Sequence, residues 1–286
     1  MRTPIQMLWV EGLLSPLERL SMVSFMRCGH PVHLYVYGNV GAVPDGVMVL
    51  DGRSILPEER ICRYGPAAGR GEGSLALFAN LFRYALLQRH GGVWSDCDMV
   101  CLKPLEDVIA ADYVIATEYR DREMQIAFAN NCLLKAPAGS PFITECNAIA
   151  MSADPEKSAW GELGPTMMTV MVRKHALERL IAPPWRFCPL GWWEFPRLVE
   201  DTALQWPDAT LTVHCFNEMW RRGGLDKNAH YGARSPFELL KAQYLTGAED
   251  ADNPGDVGSS PQRRQAGTAA PDATLDVTNA QGPMRG

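Results

Sequence analysis

"IQMLWVEGLLSPLERLSMVSFMRCGHPVHLYVYG", residues 5–38, places a helical pattern between two short apolar runs. Each apolar run contains β-branched and aromatic residues and predicts a buried strand. Between the runs, Ser15 suits an N-cap, Pro16 the first helical position and Glu18 the capping-box partner. Gly29 then ends the predicted helix. Because a strand, a helix and a strand within about 35 residues form a βαβ unit, the sequence predicts a parallel sheet with a right-handed crossover.

The end of the first predicted strand is a candidate ligand site. In open parallel sheets, ligands bind beyond the carboxyl ends of the strands, which here lie near Trp9, Glu11 and Gly12. An exposed indole at Trp9 would offer a flat apolar platform for a base, and ordinary core packing is the alternative role of this side chain.

The composition is that of a globular, weakly acidic protein. The chain has 286 residues, 47% of them hydrophobic, and a net charge of −6, so it can bury the core of one large α/β domain or two small ones. Because there is no basic excess, nucleic acid is not an expected partner. The eight cysteines include no Cys-x-x-Cys, which argues against zinc-ribbon or thioredoxin-like sites and predicts buried thiols in a reducing compartment.

The two ends of the sequence bear on location and domain extent. Charges at Glu11, Glu18 and Arg19 interrupt the first twenty residues, which predicts no signal peptide. No run approaches the roughly 20 apolar residues of a transmembrane helix, so we expect a cytoplasmic protein whose membrane contact, if any, is peripheral. The composition predicts a folded domain at 1–246 and a disordered, low-complexity tail at 247–286.

A second helix and strand carry two closely spaced carboxylates. "SLALFANLFRYALLQRH" at 74–90 has apolar residues at the helical period, and Gly91 suits the C-terminal cap. "VWSD" then returns as a short strand, and Asp96 and Asp98 project to one side if the extended backbone continues. Neighbouring carboxylates repel each other unless water screens them or a cation lies between them. The pair is therefore a candidate ligand site.

The chemistry of this pair depends on its surroundings, since about one Asp-x-Asp is expected by chance. A second copy at 250–252 falls in the predicted tail. No Gly-x-Gly-x-x-Gly follows the first strand, so a bound diphosphate would be neutralised by Mn²⁺ or Mg²⁺, which would act as a Lewis acid. Asn80 and Arg83 share the polar edge of the helix and could face the same site. A solvated acidic turn, and a structural ion pair for Arg83, are the alternatives.

The same region resembles a known family. "FANLFRYALLQRHGGVWSDCDMVCLKPL" (78–105) is similar to the sugar-binding region containing the DXD motif of glycosyltransferase family 32, whose catalytic core the large glucosylating toxins share. Weaker similarity appears at "QMLWVEG", "NNCLLKAPAGSPF", "GELGPTMMT" and "VHCFNEMW". The order of helix, paired glycines, Asp-x-Asp and Lys-Pro-Leu makes the similarity specific.

The resemblance implies an A-type glycosyltransferase fold, in which helices flank a Rossmann-like, mostly parallel central sheet. It also implies a sugar-nucleotide donor, Mn²⁺ or Mg²⁺ as cofactor, and retention of the anomeric configuration. By position, Asp96 would contact ribose and sugar hydroxyls or metal-bound water, Asp98 would ligate the metal, and Arg83 would hold the donor sugar and diphosphate. Asn80 departs from the aspartate usual in the family, so it could bond a sugar hydroxyl but lacks the charge.

Further candidate residues follow from the weaker similarities. Trp9 would stack the base of the donor, as a tryptophan stacks uracil in the similar toxins. His214 and Trp220 resemble a late histidine and tryptophan that cover the diphosphate, so His214 is a third candidate metal ligand and Trp220 a candidate donor contact. Asn131 and Glu162 are candidate contacts to donor or acceptor. Structural roles are the alternatives for all five residues.

The sequence therefore predicts a metal-dependent, retaining glycosyltransferase. It would move a hexose or N-acetylhexosamine from a nucleoside-diphosphate sugar, expected to be UDP-linked, to a hydroxyl of a glycan or glycolipid acceptor in surface polysaccharide or glycolipid synthesis. One alternative is an aspartyl-nucleophile phosphatase with Asp96 as nucleophile and Asp98 as acid, although the predicted folded domain lacks the second acidic loop of that mechanism. A non-catalytic sugar-nucleotide-binding module is another.

Overall fold

The computed structural model describes residues 3–124 and 127–245 of the chain. The chain divides into two units, Met1–Glu249 and Asp250–Gly286, and the fold described here is that of the first. The predicted tail at 247–286, with its second Asp-x-Asp, lies outside the described residues. The predicted domain boundary and the predicted disorder of the tail therefore stay predictions.

The centre of the fold is a six-stranded sheet in which five strands run in one direction. The strands of the described chain are β1 (Ile5–Trp9), β2 (Val32–Val36), β3 (Met48–Asp51), β4 (Gly92–Ser95), β5 (Met99–Cys101), β6 (Val114–Tyr119), β7 (Ala127–Ala136) and β8 (Thr212–His214). The sheet order is β3-β2-β1-β4-β7-β6, and β7 is antiparallel to both of its neighbours. β5 and β8 form a separate antiparallel pair. The prediction of a mostly parallel central sheet is confirmed.

Helices flank this sheet, and the first of them begins as the sequence predicts. The α-helices of the described chain are α1 (Pro16–Arg27), α2 (Ala76–His90), α3 (Glu106–Ile109), α4 (Pro141–Met151), α5 (Met167–Lys174), α6 (Pro184–Phe187), α7 (Arg197–Glu200), α8 (Asn217–Gly223) and α9 (Pro236–Tyr244). At the start of α1, the Glu18 carboxylate accepts from the amide of Ser15 at 2.8 Å, which completes the capping box. Within the described residues, no helix combines the length and apolar character needed to cross a bilayer.

The helix α2 packs on the sheet and leads the chain into β4. The Phe82 ring lies 5.5 Å from the ring centroid of Tyr35 and 6.2 Å from that of Trp94. Gly91 ends α2 with φ of 63°, and a Cβ at this position would lie 2.7 Å from the backbone nitrogen of Ala138. Residues with a side chain rarely adopt this φ, and the added Cβ would collide with the backbone. This connection therefore requires glycine.

The sequence pattern also predicts strands near 113–118 and at 210–215, whereas β3 and β5 have no counterpart among the predicted strands. In β3, Met48 and Val49 are about half exposed, so the buried apolar pattern of a central strand is absent. β5 contains only three residues. The strand expected at 210–215 is limited to Thr212–His214. Each of these elements is held mainly by pairing with a partner strand, which a short sequence pattern does not reveal.

The sequence after "GELGP" predicts a helix near 165–181, and this helix is also shorter in the structure. A π-type turn covers Glu162–Thr166, and regular α-helix covers only Met167–Lys174. Gly164 inside the turn has non-helical angles, and Pro165 follows it. Because proline lacks an amide hydrogen and clashes with the preceding turn, the regular helix begins only after it.

Candidate active site

The two aspartates of the Asp-x-Asp segment lie in the turn between β4 and β5. β4 ends at Ser95, and the amide of Met99 donates to the carbonyl of Asp96 at 3.3 Å. The extended backbone therefore does not continue, and strand alternation does not orient the two side chains. The turn brings them together instead: a carboxylate oxygen of Asp96, one of Asp98 and a ring nitrogen of His214 lie within 4.8 Å of one another.

The pairing of β5 with β8 brings His214 to this turn. Met99 is the register partner of His214, and the amide of Cys215 donates to the carbonyl of Asp98 at 2.9 Å. These main-chain contacts fix β8 beside the aspartates, although the two segments are far apart in the sequence. The structure thus brings together the three residues proposed from the sequence as metal ligands.

Side chains of α2 and β4 hold Asp96. Nη2 of Arg83 lies 2.9 Å from Oδ1 of Asp96, and the indole of Trp94 donates to the same oxygen at 2.8 Å. The Arg83 guanidinium is buried and lies 4.9 Å from the ring centroid of Trp94. Burial raises the pKa of Asp96, although the charge of Arg83 opposes this shift. Arg83 therefore forms a buried ion pair and contacts the Asp-x-Asp segment directly.

Asp98 is buried, and its two oxygens have different surroundings. Oδ2 accepts from the amide of Asn217 at 2.7 Å and lies 3.4 Å from Nε2 of His214. Oδ1 of Asp98 and Nδ1 of His214 are buried and have no hydrogen-bond partner in the part of the chain that is described. Burial alone would raise the pKa of Asp98 and lower that of His214. Their mutual attraction dominates, so the pKa of Asp98 is lowered and that of His214 is raised well above its ordinary value.

This set of side chains fits a divalent cation. A buried carboxylate oxygen without a partner costs free energy that a bound cation would recover. Carboxylate oxygens are the ligands that Mn²⁺ and Mg²⁺ prefer. Asp96 keeps 25% of its side chain exposed, so an ion could reach the buried Asp98 and His214 from this side.

A buried network links Asn80 and Arg83 on α2 to Asn131 on β7. The Asn131 amide donates to Oδ1 of Asn80 at 2.9 Å and to the hydroxyl of Tyr84 at 2.6 Å. Nη1 of Arg83 donates to the carbonyl of Asn131 at 2.5 Å. Both asparagines are buried. The structure thus places Arg83 at Asp96 and joins Asn80 and Asn131 to each other within the same network.

Trp9 and Glu162 make local contacts of their own. The Trp9 indole, partly exposed at the end of β1, donates to the carbonyl of Gly12 at 2.9 Å, and Nζ of Lys227 lies 5.1 Å from its ring centroid. Glu162 is exposed and accepts from the amide of Ala159 at 2.8 Å. Trp9 therefore lies at the carboxyl edge of the sheet, where a ligand is expected, whereas Glu162 belongs to the turn before α5.

Trp220 lies in the core of the protein. Its side chain is fully buried, its indole donates to the carbonyl of Cys215 at 2.8 Å, and its ring lies 5.0 Å from the ring centroid of Phe237. A fully buried indole has no surface to offer a donor, so the structure assigns Trp220 to core packing instead of the predicted donor contact. Through Cys215 it supports the strand that carries His214.

Sequence reasoning missed Glu118, which ends the apolar part of β6. The side chain is buried, and the amide of Asn130 donates to it at 2.5 Å. Burial raises the pKa of Glu118 to about 7, although His214 and Asn130 oppose this shift. A signal was present in "YVIATE" at 113–118, since an apolar strand that ends in a carboxylate has the same pattern as the one that ends at Asp96.

Comparison with proteins of known sequence matches the segment that contains Asp96 and Asp98. Residues 74–115 match the family model described as the glycosyltransferase sugar-binding region containing DXD motif. Lactosylceramide 4-alpha-galactosyltransferases of Rattus norvegicus and Mus musculus are 26% and 27% identical to the chain over 164 and 176 residues. These alignments cover 50% and 54% of this chain and 41% and 45% of the relatives. The chain thus spans less than half the length of the curated relatives it matches.

Solved glycosyltransferase structures are similar at low identity. PaToxG glycosyltransferase is 13% identical, with 86% of this chain and 87% of that chain covered and a TM-score of 0.41. For glycosyltransferase GlyE of Streptococcus pneumoniae TIGR4 the identity is 10%, the coverage 85% and 64%, and the TM-score 0.41. At such scores the fold assignment rests on this chain's own sheet order. The resemblance inferred from the sequence is confirmed for this segment: residues 74–115 of the chain match the glycosyltransferase sugar-binding region containing DXD motif.

Proposed function

We propose that this chain is a metal-dependent, retaining glycosyltransferase. It transfers a hexose or N-acetylhexosamine from a UDP-linked sugar to a hydroxyl of a glycan or glycolipid. The observation that carries the proposal is the convergence of Asp96, Asp98 and His214, with an unpartnered oxygen on Asp98, at a turn inside the matched segment.

Each side chain at the turn has a proposed task. Asp98, with His214 beside it, would hold Mn²⁺ or Mg²⁺ through its unpartnered oxygen. Asp96, fixed by Arg83 and Trp94, would orient the ribose and sugar hydroxyls. Arg83 would place positive charge beside the donor diphosphate. When bound, the cation supplies Lewis acidity toward the departing nucleoside diphosphate.

The names of the curated relatives support a class of donor and a class of acceptor. Both curated relatives are named as lactosylceramide 4-alpha-galactosyltransferases, which supports a hexose donor and a glycolipid acceptor. Trp9 at the carboxyl edge of the sheet remains the proposed platform for the base, and Asn80, Asn131 and Glu162 remain candidate contacts. A glycolipid acceptor would also require contact with a membrane surface, and we propose peripheral binding from the cytoplasm.

The alternative functions are less well supported. The aspartyl-nucleophile phosphatase is less well supported because the matched segment is that of glycosyltransferases. A module that binds nucleotide sugars without turnover would use the same contacts. Metal-dependent turnover of the donor separates that module from an enzyme.

The test is nucleoside-diphosphate release from a panel of nucleotide sugars after EDTA treatment, with Mn²⁺ or Mg²⁺ added back. We expect release that requires the added cation and prefers one donor, and a product that keeps the donor's anomeric configuration by NMR. Undiminished release in EDTA would contradict metal dependence. Donor binding without release of the nucleoside diphosphate would favour the binding module. Hydrolysis of p-nitrophenyl phosphate that is faster than release from every nucleotide sugar would favour the phosphatase.

A further inference from the structure

Two thiols and an imidazole meet in the interior beside the Asp-x-Asp turn. Sγ of Cys132 on β7 lies 3.5 Å from Sγ of Cys188, which follows α6. Neither cysteine forms a disulfide, and both are fully buried. A ring nitrogen of His214 and the two sulfurs all lie within 4.8 Å of one another. The cluster therefore contains three metal-ligating side chains in one small volume.

Three different elements hold the cluster in place. The amide of Cys132 donates to Oδ1 of Asn130 at 2.7 Å, and the amide of Cys188 donates to the carbonyl of Pro184 at 2.7 Å. His214 is 8% exposed, and its Nδ1 is buried without a hydrogen bond in the described chain. Because a buried ring nitrogen usually finds a partner, this unsatisfied atom is a second, independent sign that a ligand belongs here.

We infer that Cys132, Cys188 and His214 form a second cation site, which takes a soft divalent ion such as Zn²⁺. Two sulfurs at about 2.3 Å from a tetrahedral zinc are roughly 3.8 Å apart, close to the 3.5 Å found between these sulfurs. Three protein ligands leave a fourth position for water or a neighbouring oxygen, as in zinc sites with two thiolates and one imidazole.

The two clusters differ in the ions they prefer. Thiolate ligands select soft ions such as Zn²⁺, whereas the carboxylates of Asp96 and Asp98 suit Mn²⁺ or Mg²⁺. Binding at the sulfurs replaces two S–H bonds by metal–sulfur bonds, and the two protons pass to solvent. Since His214 belongs to both clusters, an ion on the thiols alters the imidazole that faces Asp98.

Co²⁺ is the probe for this site, because it replaces Zn²⁺ and reports its ligands spectroscopically. The full chain is stripped with EDTA, kept reduced with a phosphine, and titrated with Co²⁺ alone, without any sugar nucleotide. We expect a thiolate-to-cobalt charge-transfer band and tetrahedral d–d bands that saturate at one ion per chain and disappear when Zn²⁺ is added. A spectrum without the thiolate band would overturn the site, whatever the outcome for glycosyl transfer.

Variants assign the band to these residues. Cys188→Ala and Cys132→Ala should each weaken Co²⁺ binding by at least about tenfold and reduce the band. Cys146→Ala, which removes a buried free thiol of α4 outside the cluster, should leave it unchanged. Asp96→Asn should also keep the band, since it changes only the carboxylate cluster. A band retained in both Cys132→Ala and Cys188→Ala, or lost only in Asp96→Asn, would overturn the inference, and if either cysteine variant fails to fold, the wild-type spectrum still decides.

Discussion

The Asp98 carboxylate is buried. One of its oxygens accepts a hydrogen bond from the amide of Asn217, and the other has no hydrogen-bond partner in the described chain. Asp98→Asn keeps the shape and leaves an acceptor for the amide of Asn217, but removes the negative charge. We expect nucleoside-diphosphate release supported by Mn²⁺ to fall at least about 100-fold, because electrostatic stabilisation of the departing diphosphate contributes strongly to the rate of such a transfer. Initial rates across a Mn²⁺ titration measure the effect.

A matched substitution separates this effect from a general effect of charge. Asp45→Asn makes the same change at an exposed residue before β3 and should leave the rate and its Mn²⁺ dependence as in wild type. Asp98→Asn should still unfold in one cooperative transition, because the substitution is isosteric and makes no cavity. A wild-type Mn²⁺ dependence in Asp98→Asn would show that this residue is not a metal ligand.

Glu118 makes stability depend on pH. Its pKa is about 7 in the folded protein because of burial, against about 4.3 when exposed. Between these values the unfolded chain ionises while the folded chain keeps the proton, so stability falls as pH rises through 7 and the cost is complete above it. The shift corresponds to a cost on the order of 3 kcal/mol.

Glu118→Gln should remove this dependence, because the amide keeps the acceptor for Asn130 and cannot ionise. The free energy of unfolding, measured by urea titration in EDTA, should drop less between pH 5 and pH 8 in the variant than in wild type. Glu59→Gln, at an exposed site, should behave as wild type. Equal pH dependence in Glu118→Gln and wild type would show that Glu118 ionises freely in the folded protein.

At the scale of elements, the connection from α2 to β4 fixes where the aspartates lie. Gly91→Ala should destabilise the protein by more than Gly139→Ala, although both residues have φ near 64°. Both variants place a side chain at a positive φ, which is strained, and at Gly91 the ψ of −154° adds a backbone conformation that is essentially restricted to glycine. Only at Gly91 would the new Cβ also approach backbone, at 2.7 Å from the Ala138 nitrogen, whereas the position of a Cβ at Gly139 is open. Denaturant unfolding of the two variants gives the comparison, and equal losses would contradict the steric argument.

Local sequence predicted the elements that contain their own stop and start signals. Ser15, Glu18 and Gly91 define the ends of α1 and α2 through contacts within a few residues, so the pattern suffices. β5 and β8 lack such signals, because three residues are stable as a strand only when a distant segment pairs with them. The residues just before α5 do not form regular helix because of Pro165, which is a local signal that the sequence also contains.

The contacts of the candidate site likewise include some that the local sequence predicts and others that depend on distant segments. The Asp-x-Asp pair and Arg83 lie on one continuous segment of α2, β4 and the turn after β4, so the sequence predicts that they lie near one another, although the turn and not strand alternation orients the two carboxylates. Cys132 and Cys188 come from β7 and from the end of α6, and their contact depends on sheet order and on the path of the chain after α6. No spacing in the sequence reports that contact, which explains why scattered cysteines predicted only buried thiols.

At the scale of the whole molecule, the candidate site lies where two sheets meet. β4 belongs to the six-stranded sheet and β5 to the pair with β8, and the aspartates occupy the turn between them. The three candidate metal ligands therefore lie between the two sheets, with Asp96 and Asp98 on the turn and His214 on β8. A cation at this place would connect the sheets in the folded state and would be lost on unfolding.

Thermal melts test this coupling between the site and global stability. A ligand that binds only the folded state stabilises it by about 2.7 kcal/mol at 100 times its Kd, so Mn²⁺ should raise the Tm of the EDTA-treated protein, and Mn²⁺ with the preferred nucleotide sugar should raise it further. The double variant Asp96→Asn/Asp98→Asn should lose both increments, while Asp45→Asn should keep them. If the double variant were stabilised by Mn²⁺ as much as wild type, the ion would bind elsewhere, and the turn between β4 and β5 would be a structural acidic turn and not a metal site.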